Sequence, residues 1–587
     1  MLTAAQSLVR PIFRIRAGVC LAIAAYLLGV GWYASTKTVL LDWDGPERGL
    51  FGAMIADSLR HLGWSPMAWS SQVMDVVRVF HLRFQVGLES VLVWTPLQAM
   101  TVAVVSLLGG TTDWAWASVN LAWLVVLAIF VYRLVMLVSA DETIAWWTVA
   151  LVALHPLVVD TAISMARGVG EAACVTAVVY FLTRAQRQHA WRDVWLAWCW
   201  WMIGVLYRES MVIMAPWLIG WTIALWWTAR RQPSRMSPLR PSRGLMAATA
   251  MLAGCVLMYG AAQAWLTTRG VGTLLTKLHA HQTVDVAGGS QRAPRAFITL
   301  PDYLRVMYGP FDHLRYAPEA RAALEVDPHP MAQKTLAVLH RFGLSPLQKS
   351  VFVVSCVFAQ WWLLPLVGLG AWVVWRRRRS TLIWGWLAVS AWYAAFLSWY
   401  GAIPDYTIPL LPAAAWLAAC GLSEASGRLG SMAQRWGVRC AAGLACVASL
   451  VGYAILLPRQ FYPSNSAVAS AILADAPSQG AFTVAVDTWR RPSLALAFWN
   501  ADQQQRSIVR PFDHTLTPEQ FQALMQPKGL VVESRFLGRV QVPPTRYLVM
   551  PHLEGDAVAW LRQRYQVPVP FVVWKSMGTL DILKRTS

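Results

Sequence analysis

Four short segments hold ionisable residues of types that could do chemistry: Asp42, Asp44 and Glu47 in WDGPER, Arg167 with Glu171, Tyr207-Arg208-Glu209, and Asp405-Tyr406. A carboxylate takes a proton from an attacking hydroxyl, and a guanidinium holds a departing phosphate through two parallel hydrogen bonds. Together they suit a displacement in which a hydroxyl attacks and an anionic phosphate leaves, as in sugar transfer from a lipid phosphate. Each segment also has a plainer reading, since charges at the ends of apolar runs snorkel to headgroups. Arg167 and Glu171, four apart, could pair with each other. Arg208 and Glu209 are adjacent and do not face each other on a helix, so one of them must find a partner elsewhere.

The elements that position these residues are overwhelmingly apolar. The chain has 587 residues, of which 57% are hydrophobic and only 14% charged, with repeated apolar runs near the roughly 20 residues needed to cross a bilayer. The formal net charge of +20 sits mainly in short connections between those runs, where Lys and Arg set topology, so no nucleic-acid partner is implied. The eight cysteines fall in or beside apolar runs without a CxxC pair, as packing residues do. The 34 Trp residues read as interface anchors and packing groups, with Trp43 and Trp64 placed to stack on a sugar.

Arg10, Arg14 and Arg16 precede the first apolar run, which reads as a retained signal-anchor with a cytosolic N-terminus. Basic clusters at 184–192, 230–243, 376–379 and 428–439 mark the same side. The connections at about 35–114, 160–167, 207–210, 268–348 and 400–405, and everything after about 458, then face outward. About eleven spans are expected, at 17–34, 115–138, 142–160, 168–184, 192–207, 210–229, 245–267, 349–375, 381–399, 404–421 and 438–457. The run 91–108, interrupted by Pro96 and Gln98, is expected to be re-entrant or interfacial. Leu50, Phe51, Met54, Ile55, Leu59 and Leu62 recur at helical spacing opposite Asp57 and Arg60, predicting an amphipathic helix in the interface plane. The long insertion 268–348 contains His279, His281 and His313, exposed histidines with a phosphate or metal role open to them; His155, before Pro156, reads as structural.

After Arg459 the composition changes, and short β-rich runs at 482–486, 529–532, 547–550 and 567–573 alternate with helical stretches such as 556–564. The expected organisation is a transmembrane catalytic domain over 1–457 and a soluble extracytoplasmic α/β domain over 458–587. The fold class is therefore a polytopic α-helical membrane protein of about 11–13 spans with outer-face amphipathic helices and a small C-terminal α/β domain.

The order of WDGPERGLFGAMIADSL, HPLVVDTAISMARGVGE, YRESMVIMAPWL and DYTIPLLPAAAWLAACGL resembles the GT-C superfamily of glycosyltransferases, in the layout of protein O-mannosyltransferases and aminoarabinose transferases. The resemblance covers about 1–457. It implies an inverting, polyprenyl-phosphate-sugar-dependent transferase in which Asp44 or Glu47 is the acidic residue of the first loop. Arg208, with Arg167, would lie near the lipid phosphate, while Glu171, Glu209, Tyr207, Asp405, Tyr406 and His313 give polar support. Two departures stand out. Asp44 and Glu47 replace an Asp-Glu dipeptide, and Asp405-Tyr406 stands where relatives carry Arg-Tyr or His-Tyr. Asp44 is preferred as base, because Pro46 favours a turn that leaves it on the loop while Glu47 starts a helix.

The implied partners are a polyprenyl-phosphate-linked sugar, a glycan, lipid or protein acceptor, and membrane lipids, in a bacterial-type inner membrane. The residues fix no cofactor, and a divalent metal stays open as an option that no residue pattern indicates. The alternative class is a transporter or lipid flippase, which would place its charges near the bilayer midplane in two related halves; neither sign is visible here. An asparagine-directed oligosaccharyltransferase lacks support, because the C-terminal region has no Trp-Trp-Asp signature. A non-catalytic scaffold would leave Asp44, Glu47 and Arg208 freely replaceable.

Overall fold

Long apolar runs without internal polar partners satisfy their backbone only as helices, and helices dominate the described residues up to 456. The computed structural model describes residues 45–62, 69–84, 95–109, 113–163, 166–188, 190–231, 243–268, 345–377, 381–400, 404–456, 465–487, 491–512, 516–526, 530–534, 538–552, 556–578 and 580–586. Asp42, Trp43, Asp44, Trp64, the first apolar run and the insertion with His279, His281 and His313 lie outside the described residues.

The helices before the α/β region are α1 (Gly45–Leu62), α2 (Trp69–Phe84), α3 (Pro96–Gly109), α4 (Asp113–Ser139), α5 (Glu142–Ala153), α6 (Pro156–Ile163), α7 (Gly168–Gln188), α8 (Trp191–Tyr207), α9 (Ala215–Arg231), α10 (Arg243–Thr268), α11 (Pro346–Val357), α12 (Leu363–Arg377), α13 (Thr381–Tyr400), α14 (Leu411–Gly427) and α15 (Met432–Leu456). Two 3₁₀ segments, Glu209–Met214 and Pro404–Leu410, lead into α9 and α14.

Among the described residues five helical stretches are long and apolar enough to cross a membrane: Ser118–Ser139, Gly168–Gln188, Glu209–Thr228, Arg243–Trp265 and Pro404–Gly427. A sixth is α5 with α6, bent by 62°. This is fewer than the eleven expected, partly because some expected spans are broken. The run 142–160 bends at His155-Pro156, where proline cannot continue the helix and the His155 ring takes over backbone bonding. Its Nδ1 accepts from Leu157 N–H at 3.3 Å and its Nε2 lies 3.3 Å from the Val357 carbonyl. The run 349–375 divides into α11 and α12, and at the break the Gln360 amide donates to the Leu154 carbonyl at 3.2 Å. The run 91–108 forms α3, whose 14 residues reach only about 21 Å against the ~30 Å of a bilayer core.

The α7 helix is the centre of this bundle, buried along nearly its whole length between α4 and α8. The α12 and α14 helices approach still more closely: a Cβ on Gly370 would lie 1.8 Å from the Leu417 carbonyl oxygen, and one on Gly421 would lie 2.0 Å from that of Leu366. The outward faces stay apolar, with Ile219 and Ile223 on α9 and Met251, Leu257 and Met258 on α10 exposed.

The α/β region comprises α16 (Asn465–Asp475), β1 (Phe482–Asp487), α17 (Arg491–Ala501), β2 (Ser507–Phe512), α18 (Pro518–Met525), β3 (Leu530–Ser534), β4 (Gly538–Val542), β5 (Thr545–Pro551), α19 (Ala557–Tyr565), β6 (Phe571–Met577) and β7 (Leu580–Arg585). Its sheet runs β2-β1-β5-β7-β6, parallel across the first three strands and antiparallel across the rest, with β3-β4 a separate hairpin. Alternation along β1 sends Phe482, Val484 and Val486 to one face and Ala485 to the other.

The first of these faces carries a finding the sequence did not suggest. Leu50, Phe51 and Met54 of α1, with Val77 and Phe80 of α2, share one core with Phe482, Val484, Leu494 and Phe498. The helix expected to lie in the membrane interface is therefore packed inside protein; Ala53 and Ala56 are buried as well, and only its far end exposes Leu59. Its small residues allow this, since a Cβ on Gly52 would collide with Val102 of α3. Arg83 at the end of α2 pins the same contact, donating to Asp502 at 3.2 Å, to the Ser507 hydroxyl at 3.1 Å and to the Ser507 carbonyl at 3.2 Å. Burial pulls the Arg83 pKa down to about 10, with Asp502 opposing that shift.

Candidate functional site

Arg208 stands where the chain leaves α8 and cannot yet enter α9. Its backbone is extended, with φ −153° and ψ 126°. In an extended residue successive side chains point to opposite sides, so Arg208 and Glu209 separate rather than compete for one partner. The Arg208 N–H still closes the helix onto the Gly204 carbonyl at 2.7 Å, which fixes the break in position.

From there the Arg208 guanidinium forks between two carboxylates, 2.8 Å from Glu171 and 2.9 Å from Asp405. Its carbon sits 3.7 Å over the Tyr406 ring. Only 2% of the Arg208 side chain is exposed and none of the Glu171 side chain, so this is an interior ion cluster. The second oxygen of Glu171 accepts hydrogen bonds from Ser210 and Tyr393. Glu209, on the other side of the break, takes Arg167 at 2.7 Å.

Each arginine thus bonds a carboxylate of the other segment: Arg167 with Glu209, and Arg208 with Glu171. The exchange stitches the entrance of α7 to the α8–α9 break. Glycines make it possible, because a Cβ on Gly170 would lie 2.4 Å from the Tyr207 ring and one on Gly168 would lie 2.5 Å from the Asp405 carbonyl oxygen. The GVG of MARGVGE is thus a close-approach device.

A neutral network closes the cluster. Thr95 donates to the Tyr207 carbonyl at 2.7 Å and accepts from Arg167 at 3.4 Å. Tyr207 donates to Asn120 at 3.3 Å, and Asn120 in turn donates to the carbonyls of Thr161 at 2.8 Å and Ala166 at 2.9 Å. The Tyr207 hydroxyl also lies within the field of Arg48, Arg167 and Arg208. Arg48, on the first turn of α1, is itself buried, with 1% of its surface exposed.

Of the residues singled out by sequence, Arg167, Glu171, Tyr207, Arg208, Glu209, Asp405 and Tyr406 come together in one network. Glu47 lies at the start of α1, 3.9 Å from Arg491 of α17. Asp44 and His313 fall outside the described residues. Sequence reasoning passed over Arg48, Asn120, Ser210 and Tyr393. Arg48 sits beside the chosen acids and its signal was available, whereas Tyr393 lies within an unbroken apolar helix and had none. Among the described residues no group of three His, Cys, Asp or Glu side chains is placed to hold a metal ion.

No protein-family model and no curated protein matches the chain. Among solved structures it is similar to ArnT from Cupriavidus metallidurans in the apo state, at 11% identity and a TM-score of 0.49, over 97% of this chain and 98% of that one. It is also similar to ArnT from Cupriavidus metallidurans bound to undecaprenyl phosphate, at 12% identity and a TM-score of 0.46, over 96% of this chain and 98% of that one.

Proposed function

We propose that the protein is a multi-pass membrane glycosyltransferase that moves a sugar from a polyprenyl-phosphate donor to an acceptor on the extracytoplasmic side by a single inverting displacement. One observation carries the reading: ionisable side chains from three separate segments converge in a buried network at the ends of apolar helices. Such groups are costly in an apolar bundle and are kept there for a task. The site's order along the chain is that of the GT-C layout described above.

In this mechanism Asp44 takes the acceptor proton and the hydroxyl attacks the anomeric carbon in line with the departing phosphate. Glu47 orients the same turn. Arg48, Arg167 and Arg208 supply the positive field into which the phosphate charge develops. Glu171 and Asp405 hold the Arg208 fork rigid, so that its orientation is set before the donor arrives. The N-terminus is cytosolic, the α/β region is extracytoplasmic, and the setting is a bacterial-type inner membrane.

The test is to incubate the purified full-length protein with a panel of polyprenyl-phosphate sugars and an acceptor mixture, following release of the polyprenyl phosphate. Release that is lost in Asp44→Asn supports the assignment. Full activity of Asp44→Asn with loss in Glu47→Gln would exchange the two acidic roles.

A further inference from the structure

We infer that Arg491, from the α/β region, is a positioning residue for transfer, acting through Glu47 of the first-loop segment. The inference rests on the transferase reading above.

Arg491 is the first residue of α17, where a cation opposes the helix dipole. A placement of that kind calls for a compensating anion, and Glu47 provides it at 3.9 Å. Glu47 is itself in the first turn of α1, where a carboxylate complements the helix dipole. The other arm of the guanidinium donates to the Phe84 carbonyl at 3.2 Å, at the end of α2. Arg491 thus ties three elements: the start of α1, the end of α2 and the α/β region. Burial lowers its pKa and Glu47 works against that shift.

The neighbouring residue gives this tie its meaning. Arg48 follows Glu47 directly and lies near Tyr207 at the rim of the ion cluster. A shift of Glu47 therefore moves Arg48 and the start of α1 relative to Tyr207. The α/β region, which shares its core with α1 and α2, is on this account a wall of the reaction site.

The experiment is a double-mutant cycle in the full chain with Arg491→Met and Glu47→Gln, reading kcat, the donor KM and the thermal midpoint of each. Arg491→Met is expected to lower kcat about 10- to 100-fold with little change in donor KM, as loss of orientation does. In the Glu47→Gln background it should change kcat less than about twofold, since the partner is already gone. Arg491→Lys, which keeps the charge but not the fork, should recover part of the loss and covers the case in which Arg491→Met does not fold. Independent, multiplying effects on kcat would overturn the inference, as would a fall in thermal midpoint with unchanged kcat. A wild-type protein that turns over no donor while the pair still couples in thermal midpoint would overturn the transferase reading, and with it the positioning role, leaving only the ion pair.

Discussion

Removing Arg208 is predicted to damage the protein far more than removing either of its partners' charges. Arg208 separates two carboxylates and is 2% exposed beside Glu171, which is fully buried. Arg208→Met leaves both acids facing each other without a cation, and breaking a buried pair in this way costs about 3–5 kcal/mol. Glu171→Gln is milder. The amide keeps the contacts with Ser210 and Tyr393, and Asp405 still holds the guanidinium at 2.9 Å. Its cost is about 1–2 kcal/mol, the range for one weakened buried hydrogen-bond set. Arg208→Lys should fall between, since an ammonium cannot fork to two carboxylates. The double variant Arg208→Met, Glu171→Met should be more stable than Arg208→Met alone, because Asp405 is then the one charge left and its side chain is 15% exposed. Thermal unfolding of the full chain in detergent or nanodiscs gives the ranking, with the single Arg208→Met shift on the order of 2–4 °C. If Arg208→Met unfolded within a degree of wild type, or if Glu171→Gln cost more than it, the interior ion cluster would not be the structural centre described.

Other perturbations test separate joints of the account. Gly170→Val should block the approach of α7 to Tyr207, whose ring lies 2.4 Å from the added Cβ, and abolish activity with reduced expression; Gly254→Ala, where nothing lies within 4 Å, should behave as wild type. Gly421→Leu should separate α12 from α14 and lower the thermal midpoint by several degrees, because the new Cβ would meet the Leu366 carbonyl at 2.0 Å. Burial alone would raise the Asp475 pKa, but hydrogen bonds from Lys584 at 2.8 Å and Tyr547 at 2.7 Å outweigh it and hold the group below its usual value. Its stabilising contribution is therefore full above the ordinary carboxylate range near pH ~4 and is lost as pH falls through the lowered folded value. Acid unfolding of the full chain followed through Trp fluorescence should show this limb in wild type and a flatter one in Asp475→Asn.

The helical bundle was legible because apolar runs of span length have no other way to satisfy their backbone. The number of continuous spans was less so. A run such as 349–375 has the composition of one helix, and only packing reveals that it breaks near Gln360. In the α/β region β1 and β5 announced themselves through short apolar runs, while β2, reading SIVRPF, and β7, reading LDILKR, were hidden by their charges and a proline. The strand expected at 567–573 begins at Phe571, because Pro568 and Pro570 have no N–H to donate to β7. The fate of α1 was beyond the reach of periodicity. An apolar stripe states that something covers it, and whether lipid or a sheet some 430 residues later does so is a tertiary matter.

At the site, the residue types and segments were readable from sequence, but the pairing was not. Arg167 and Glu171 have the spacing of an ordinary helix pair, yet α7 begins only at Gly168, so Arg167 lies before it and turns to Glu209. Arg208 and Glu209 likewise needed the extended backbone at the end of α8 before their two directions could be assigned. Tyr393, a donor to Glu171, carried no signal because a Tyr in an apolar helix looks like packing until a buried carboxylate is placed beside it.

The most direct test of the central claim is donor turnover by the purified full-length protein. Polyprenyl-phosphate sugars are supplied in turn with an acceptor extract, and free polyprenyl phosphate and the anomeric configuration of the product are measured. Release with at least one donor is expected, with inversion at the anomeric carbon, and with loss of release in Asp44→Asn and in Arg208→Met that remains folded. Retention of configuration, or substrate movement across the bilayer without any cleavage of the sugar phosphate bond, would contradict the claim.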